Sequence, residues 1–207
     1  MTDLKKYIGF ILPLLLLLPA FSARGAETPA QFLQRCVAKI NSAKSLKAQF
    51  TVSASGKSFN GQLTQSGKKF KVSAPGAATW YNGKDIWSYS RANGEVTVWT
   101  PTPSELAETN PLLYIGTSKD YNVALDPKSP SGTRILILTP KRRGASVKSI
   151  RLTVNSSTLL PKAISVKASG GNCDVKIKSI TLNPKVSASE FNFNKKNYPG
   201  VNVTDLR

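Results

Sequence analysis

From Leu46 onward, apolar and polar residues alternate in short runs, and turn-forming pairs break those runs at nearly even intervals. This period of two limits the fold more than any other feature. It lays one apolar row along one face of an extended strand, which a helix cannot use. The runs predict strands over Leu46–Ala54, Phe59–Gln65, Lys69–Ser73, Ala78–Tyr81, Asp85–Ser90 and Glu95–Thr100, then Tyr121–Leu125, Arg134–Thr139, Val147–Val154, Pro161–Ala168 and Cys173–Leu182. Between them stand Ser55-Gly56, Ser66-Gly67, Asn82-Gly83, Asn93-Gly94 and Gly170-Gly171. Asn-Gly favours type I′ hairpin turns, because both central residues there need positive φ. About eleven short strands in this arrangement predict one antiparallel meander curled toward a barrel or half-barrel.

Two helical stretches interrupt the pattern, which makes the fold mainly β with some α. Thr28 caps a predicted amphipathic helix with Pro29 at its first position and Phe32, Leu33, Cys36, Val37 and Ile40 at helical spacing. Later, Thr102-Pro103-Ser104-Glu105 forms a capping box, and Leu106, Leu112, Leu113, Tyr114 and Ile115 follow it. That apolar insert between two halves of a sheet either plugs the barrel or covers a hollow as a lid. Arg134 to Leu138 is apolar on both sides and needs cover twice, the N-terminal helix being one candidate.

The first residues read as a targeting segment. Lys5 and Lys6 precede an apolar run from Ile8 to Leu18, and small residues up to Ala26 follow. The run is about half the roughly 20 residues that a spanning helix needs. Residues 1–25 are therefore expected to be a cleaved signal peptide and 26–207 a single exported domain. Export to an oxidising compartment favours a Cys36–Cys173 disulfide, the only pairing that two cysteines allow, over the alternative of two buried free thiols, although sequence says nothing of the distance between them.

Composition removes whole classes of chemistry. The chain has no histidine, which excludes Ser-His and Cys-His nucleophile pairs and every histidine metal site. Two cysteines exclude a four-cysteine zinc or iron–sulfur site within one chain. Removing Lys5, Lys6, Arg24 and Asp3 from 29 cations and 11 acids leaves 26 and 10, a charge of +16. Such a field attracts anionic membranes and other polyanions. Its tightest groups, Lys68-Lys69-Phe70-Lys71 and Lys141-Arg142-Arg143, equally suit solvated strand faces that discourage edge pairing. Ser66-Gly67-Lys68-Lys69 matches the S-x-x-K nucleophile pattern but has no S-D-N or K-T-G companion, and no cofactor motif is present.

The strand faces leave an ordinary packed core and an apolar ligand cavity both open. Five motifs in order bear on that choice. They are Ser42-Ala43-Lys44-Ser45-Leu46-Lys47-Ala48-Gln49-Phe50-Thr51, Tyr81-Asn82-Gly83-Lys84-Asp85-Ile86-Trp87-Ser88-Tyr89, Asn110-Pro111-Leu112-Leu113, Leu138-Thr139-Pro140-Lys141, and Phe191-x-Phe193 with Pro199-Gly200-Val201-Asn202-Val203. In this order the chain resembles the periplasmic outer-membrane lipoprotein carrier family, LolA, over nearly all of residues 26–207. The resemblance implies a half-open barrel with a helical lid, located in the periplasm and non-enzymatic, that shuttles lipoprotein acyl chains from inner to outer membrane. It implies an inner-membrane ABC transporter as donor and an outer-membrane acceptor, with no nucleic acid among the partners and the protein a monomer. Phe50, Val52, Leu63, Phe70, Val72, Trp80, Trp87, Tyr89 and Trp99 are expected to line the lipid-binding side, and Leu106, Leu112, Leu113 and Ile115 the lid. The family's lid-tying arginine has no counterpart among Ser66-Gly67-Lys68-Lys69, so a looser lid is expected. The rival readings are a related lipid-binding or lipid-sensing module with another amphiphile, and a basic polyanion-binding protein.

Overall fold

The computed structural model describes residues 26–102, Leu106 and 120–207. The predicted signal segment and the lid residues Leu112, Leu113 and Ile115 lie outside these. Among the described residues, a long helix near the N-terminus, a twelve-stranded sheet and two short 3-10 turns, Ala188–Phe191 and Lys195–Asn197, are the main elements. Helix α1 spans Pro29–Asn41. The strands are β1 (Ser45–Ala54), β2 (Lys57–Ser66), β3 (Lys69–Ala74), β4 (Ala77–Tyr81), β5 (Ile86–Ser90) and β6 (Glu95–Trp99), followed by β7 (Tyr121–Leu125), β8 (Thr133–Pro140), β9 (Val147–Asn155), β10 (Pro161–Ala168), β11 (Gly171–Leu182) and β12 (Asn202–Asp205). The first eleven follow the predicted runs to within a residue or two at each end.

The sheet order is β12-β6-β5-β4-β3-β2-β1-β11-β10-β9-β8-β7. Within β1–β6 and within β7–β11 consecutive strands pair antiparallel, and β1 pairs antiparallel with β11, which joins the two halves. The sheet is open, with β7 and β12 as its edges. β12 is the twelfth strand that the alternation does not announce. Its four residues are all exposed, and it pairs with β6 in parallel, so neither a buried row nor a hairpin turn marks it. Residues 100–120 connect β6 to β7, which lie near opposite edges of the sheet.

Local chemistry explains the ends of the elements. Thr28 accepts the Gln31 amide while the Gln31 side chain returns to the Thr28 amide, a complete capping box. Ser55 and Gly56 both take positive φ, 50° and 74°, as a tight two-residue turn needs. The Asn-Gly pairs depart from that expectation, since only Gly83 and Gly94 have positive φ. The first of these turns is longer: Asn82 Oδ1 accepts the amides of Lys84 and Asp85, a side-chain turn that keeps Asn82 itself out of the left-handed region.

Two buried clusters fill the face on which α1 lies, here the inner face. Under the helix, Phe32, Leu33 and Cys36 pack on Leu136, Leu138, Ile150, Leu152, Val154 and Ile164. The helix thus covers one side of the doubly apolar β8, as expected. Glu27 clamps it there, with carboxylate oxygens 2.7 Å from Arg35 and 2.6 Å from Arg134. The Arg134 guanidinium also lies 4.4 Å from the Phe32 ring centre. The second cluster joins Leu46, Ala48, Leu63, Phe70, Tyr81 and Ile86 on β1–β5.

Cys36 and Cys173 are free thiols, which corrects the expected disulfide. Cys36 is sealed inside the cluster under α1, and burial pushes its thiol up to about 11. Cys173 sits half-buried on β11, opposite Val166 and Ala54. An oxidising compartment makes a bond chemically reasonable but says nothing of sulfur-to-sulfur distance, which side-chain direction decides.

Candidate binding face

Cross-strand partners share a face, so strand register assigns every predicted site residue. Phe50 stands opposite Gly61 and Ile177, and Val52 opposite Phe59 and Val175. Leu63 pairs with Ala48 and Val72, Phe70 with Tyr81, and Ile86 with Trp99. Phe50, Val52, Leu63, Phe70, Val72 and Trp99 therefore all lie on the inner face. Leu106 belongs there too, packed against the same cluster as Phe50, Val72 and Trp99.

Trp80, Trp87 and Tyr89 do not. Trp80 pairs with Lys71 and Trp87, and Tyr89 with Ala78 and Val96, one residue out of step with Tyr81 and Ile86. These three point to the outer face, which corrects the expectation that they line the lipid side. The physical reason is that β4 and β5 are apolar on both faces. Alternation says which residues travel together, but it does not say which row faces in.

What draws the three aromatics outward is the segment after β11. It leaves β11 with the Ser45 hydroxyl donating to Pro184 O at 2.6 Å and crosses β1 and β2, where Glu190 meets Lys47 at 3.3 Å and Thr64 at 3.3 Å. It then lays Phe193 and Tyr198 on Trp80, both with ring centres 5.6 Å away, and Tyr198 on Tyr89 at 4.6 Å. After Gly200 it returns as β12, and Arg207 reaches Asp85 at 3.1 Å. Under this strap Trp80, Val96 and Val98 are buried. The Phe191-x-Phe193 motif thus belongs to the strap. The buried Asp85 carboxyl accepts the Thr100 hydroxyl at 2.8 Å, and that bond, then Arg207, holds it below the usual carboxylate range.

Among the described residues, the inner face has a stretch that belongs to neither buried cluster. Val52 and Ile177 belong to neither, while Phe50, Val72 and Val175 only border them. All five are half-buried, and Phe59, beside Val52, is 42% exposed. Together they form an apolar floor across β11, β1, β2 and β3. Gly61 is part of its shape: a Cβ there would sit 2.3 Å from Phe50 Cε2, so glycine lets the ring lie against the β2 backbone. Phe59, Val175 and Ile177 were not among the predicted site residues. Their alternation within β2 and β11 was visible, but their place beside Phe50 and Val52 depends on the β1–β11 pairing and its bulge at Gln49/Phe50. Among the described residues no cluster of metal-ligating side chains occurs, and no helix is long and apolar enough to cross a membrane.

The fold recurs in solved structures. An uncharacterized conserved protein from Thermus thermophilus superimposes with a TM-score of 0.57 at 12% identity, over 83% of this chain and 98% of that one. A LolA superfamily protein from Nitrosomonas europaea gives 0.40 at 13%, over 80% and 98%. LprF from Mycobacterium bovis gives 0.42 at 12%, over 79% and 98%. At such identities the first likeness speaks for the fold alone. No curated protein matches the chain. The family model described as outer membrane lipoprotein carrier protein LolA matches residues 18–170, most of the sequence, and on that match the chain belongs to the LolA family.

Proposed function

We propose that this protein is a periplasmic carrier that holds lipoprotein acyl chains on its inner face between an inner-membrane ABC transporter and an outer-membrane acceptor. The unsealed floor of Phe50, Val52, Phe59, Val72, Val175 and Ile177 is the observation that carries this reading. Each CH2 group moved from water onto such a surface contributes about 0.8 kcal/mol, so even one acyl chain leaves water decisively. A shuttle also has to release its cargo, and a floor open on one side binds less tightly than an enclosed cavity would. Leu106, at the root of the insert, packs against the buried cluster that Phe50 and Val72 also border, which suits a cover drawn over cargo. The reading requires no bond to be made or broken, in keeping with a chain that has no histidine.

The test is uptake of a fluorescent fatty-acyl probe by the purified domain. Val52→Asp places a charge on the floor and is expected to reduce uptake at least tenfold. Trp87→Asp, on the outer face, is expected to leave it near wild type. Equal loss in both variants, or no uptake by wild type, rejects an acyl-binding inner face.

A further inference from the structure

The outer face carries two clefts for which an acyl carrier has no use. One, of about 430 Å3, takes its polar side chains from Gln49, Asn60, Gln62, Ser73 and Lys178, with Phe50, Gly61, Ala74 and Pro75 completing its wall. The other, of about 410 Å3, lies between β3–β5 and the strap and is walled by Lys71, Tyr89, Arg91, Asn197 and Tyr198. Ser73 and Ala74 border both, so the clefts adjoin across the end of β3.

Their side chains are positioned by the fold. The register shift between β1 and β11 makes Lys178 an extra residue, and its Nζ donates to Asn60 Oδ1 at 2.8 Å. Thr51 Oγ1 donates to the same oxygen at 2.9 Å, which leaves the Asn60 Nδ2 donors for a ligand. In the second cleft Tyr198 is boxed by Trp80, Phe193 and Tyr89, which fixes its ring and presents its phenol. The Arg91 amide donates to Gly76 O at 2.8 Å, holding the β5–β6 turn beside the β3–β4 turn. No carboxylate lines either cleft, and among the described residues neither Arg91 nor Lys178 pairs with one.

We propose that the two clefts together bind an anionic saccharide, a short glycan bearing uronate or phosphate groups. Carboxamides and hydroxyls in this density match the alternating donors and acceptors of vicinal sugar hydroxyls. The guanidinium and ammonium at opposite ends of the groove supply charge-assisted bonds to acidic substituents. The polar and charged side chains among the lining, Gln49, Asn60, Gln62, Lys178, Lys71 and Arg91, disfavour an acyl chain. The boxed Tyr198 ring leaves little open face for a nucleobase to stack on.

The experiment titrates the full chain with tetragalacturonate and, separately, with phosphatidylcholine vesicles that contain or lack a glucuronosyl diacylglycerol. Saturable binding of the soluble sugar is expected, weakened about tenfold by Arg91→Glu, by Lys178→Glu and, with no charge change, several-fold by Gln62→Ala. Lys128→Glu, in the remote β7–β8 loop, is expected to change it little. Vesicle binding that tetragalacturonate competes away identifies a lipid headgroup as a source, whereas soluble binding alone identifies a free glycan. Acyl-probe uptake stays near wild type in Arg91→Glu, which separates this site from the inner face. No saturable binding, the same loss in Lys128→Glu as in Lys178→Glu, or tighter binding of oligothymidylate with the same variant pattern overturns the proposal.

Discussion

On β8 and β9 the inner row of Leu136, Leu138, Ile150, Leu152 and Val154 is buried beneath α1, whereas on β1 and β2 the inner row ends in Phe50, Val52 and Phe59, half-buried or exposed. Both rows come from the same alternation, on strands of one sheet. They differ in what covers them. One half keeps a helix clamped through Glu27, which Arg35, and then Arg134, hold as a carboxylate below its usual range. The other half has no such cover over its floor among the described residues. An apolar row sealed by its own chain is a core, and one left partly bare is a surface for something else.

The largest expected effect tests this contrast directly. Leu136 is fully buried, and Leu136→Ala is expected to cost about 3 kcal/mol, transfer and cavity terms together. Val52→Ala removes contacts from a half-buried side chain and is expected to cost under about 1 kcal/mol. Urea unfolding of both variants measures the difference. Comparable losses would mean that the floor is packed core after all, and the contrast between the halves would break.

The sequence was most legible where one face of a strand is polar. Ile150, Leu152 and Val154 alternate with Ser149, Arg151 and Thr153, and the buried row of β9 is the one that the pattern names. It was least legible where both faces are apolar. In β4 and β5, Tyr81 and Ile86 form the inner row while Trp80, Trp87 and Tyr89 form the outer one, and size alone favours the wrong row as the ligand side. The deciding information lies in the strap, more than a hundred residues later, where Phe193 and Tyr198 supply the aromatic cover. β12 is not legible in the sequence, because a short, exposed, parallel strand has neither an apolar row nor a turn to mark it. Of the site, six of the nine expected floor residues share one face, and the three missed neighbours needed the β1–β11 register to be seen.

The strap offers a second, smaller comparison, between a cover held by rings and one held by charge. Its rings carry no charge in acid, since Phe193 cannot ionise and burial, then Tyr89, raises the Tyr198 phenol above its ordinary value, but its far end rests on Asp85. The carboxyl of Asp85 is held below its ordinary value of 3.8 by the Thr100 hydroxyl and then Arg207. A lowered folded-state pKa stabilises fully above the unfolded value and is lost as pH falls through the folded one. Acidification below about pH 4 is therefore expected to loosen the end of β12 while the Trp80–Phe193–Tyr198 cluster stays in place. Arg207 is partly exposed, so Asp85→Asn is expected to cost only about 1 kcal/mol at neutral pH. Hydrogen exchange of the Leu206 amide, which donates to Val98 O at 2.9 Å, reads the effect. Protection of that amide, taken relative to its intrinsic exchange rate at each pH, that stays unchanged down to pH 2 would show that the charge contributes nothing to the strap.

The smallest effect sharpens the contrast between sealed and open halves without altering stability. Cys36 lies inside the sealed cluster with its thiol pushed up to about 11, so it is both inaccessible and almost wholly protonated at neutral pH. Cys173 lies half-buried near the floor, and burial, with Asp174 beside it, raises its thiol as well. A thiolate-seeking reagent added to the native protein is therefore expected to modify Cys173 slowly and Cys36 only on unfolding. Mass spectrometry of the modified peptides distinguishes the two. Equal rates would mean that α1 lifts from the sheet as readily as the floor is reached, and the two halves would no longer differ in kind. Labelling of neither thiol until a reductant is added would establish a disulfide in place of the two free thiols. The helix would then be tied covalently to the strand at the edge of the floor, and release of cargo would have to proceed without any movement of α1 away from β11.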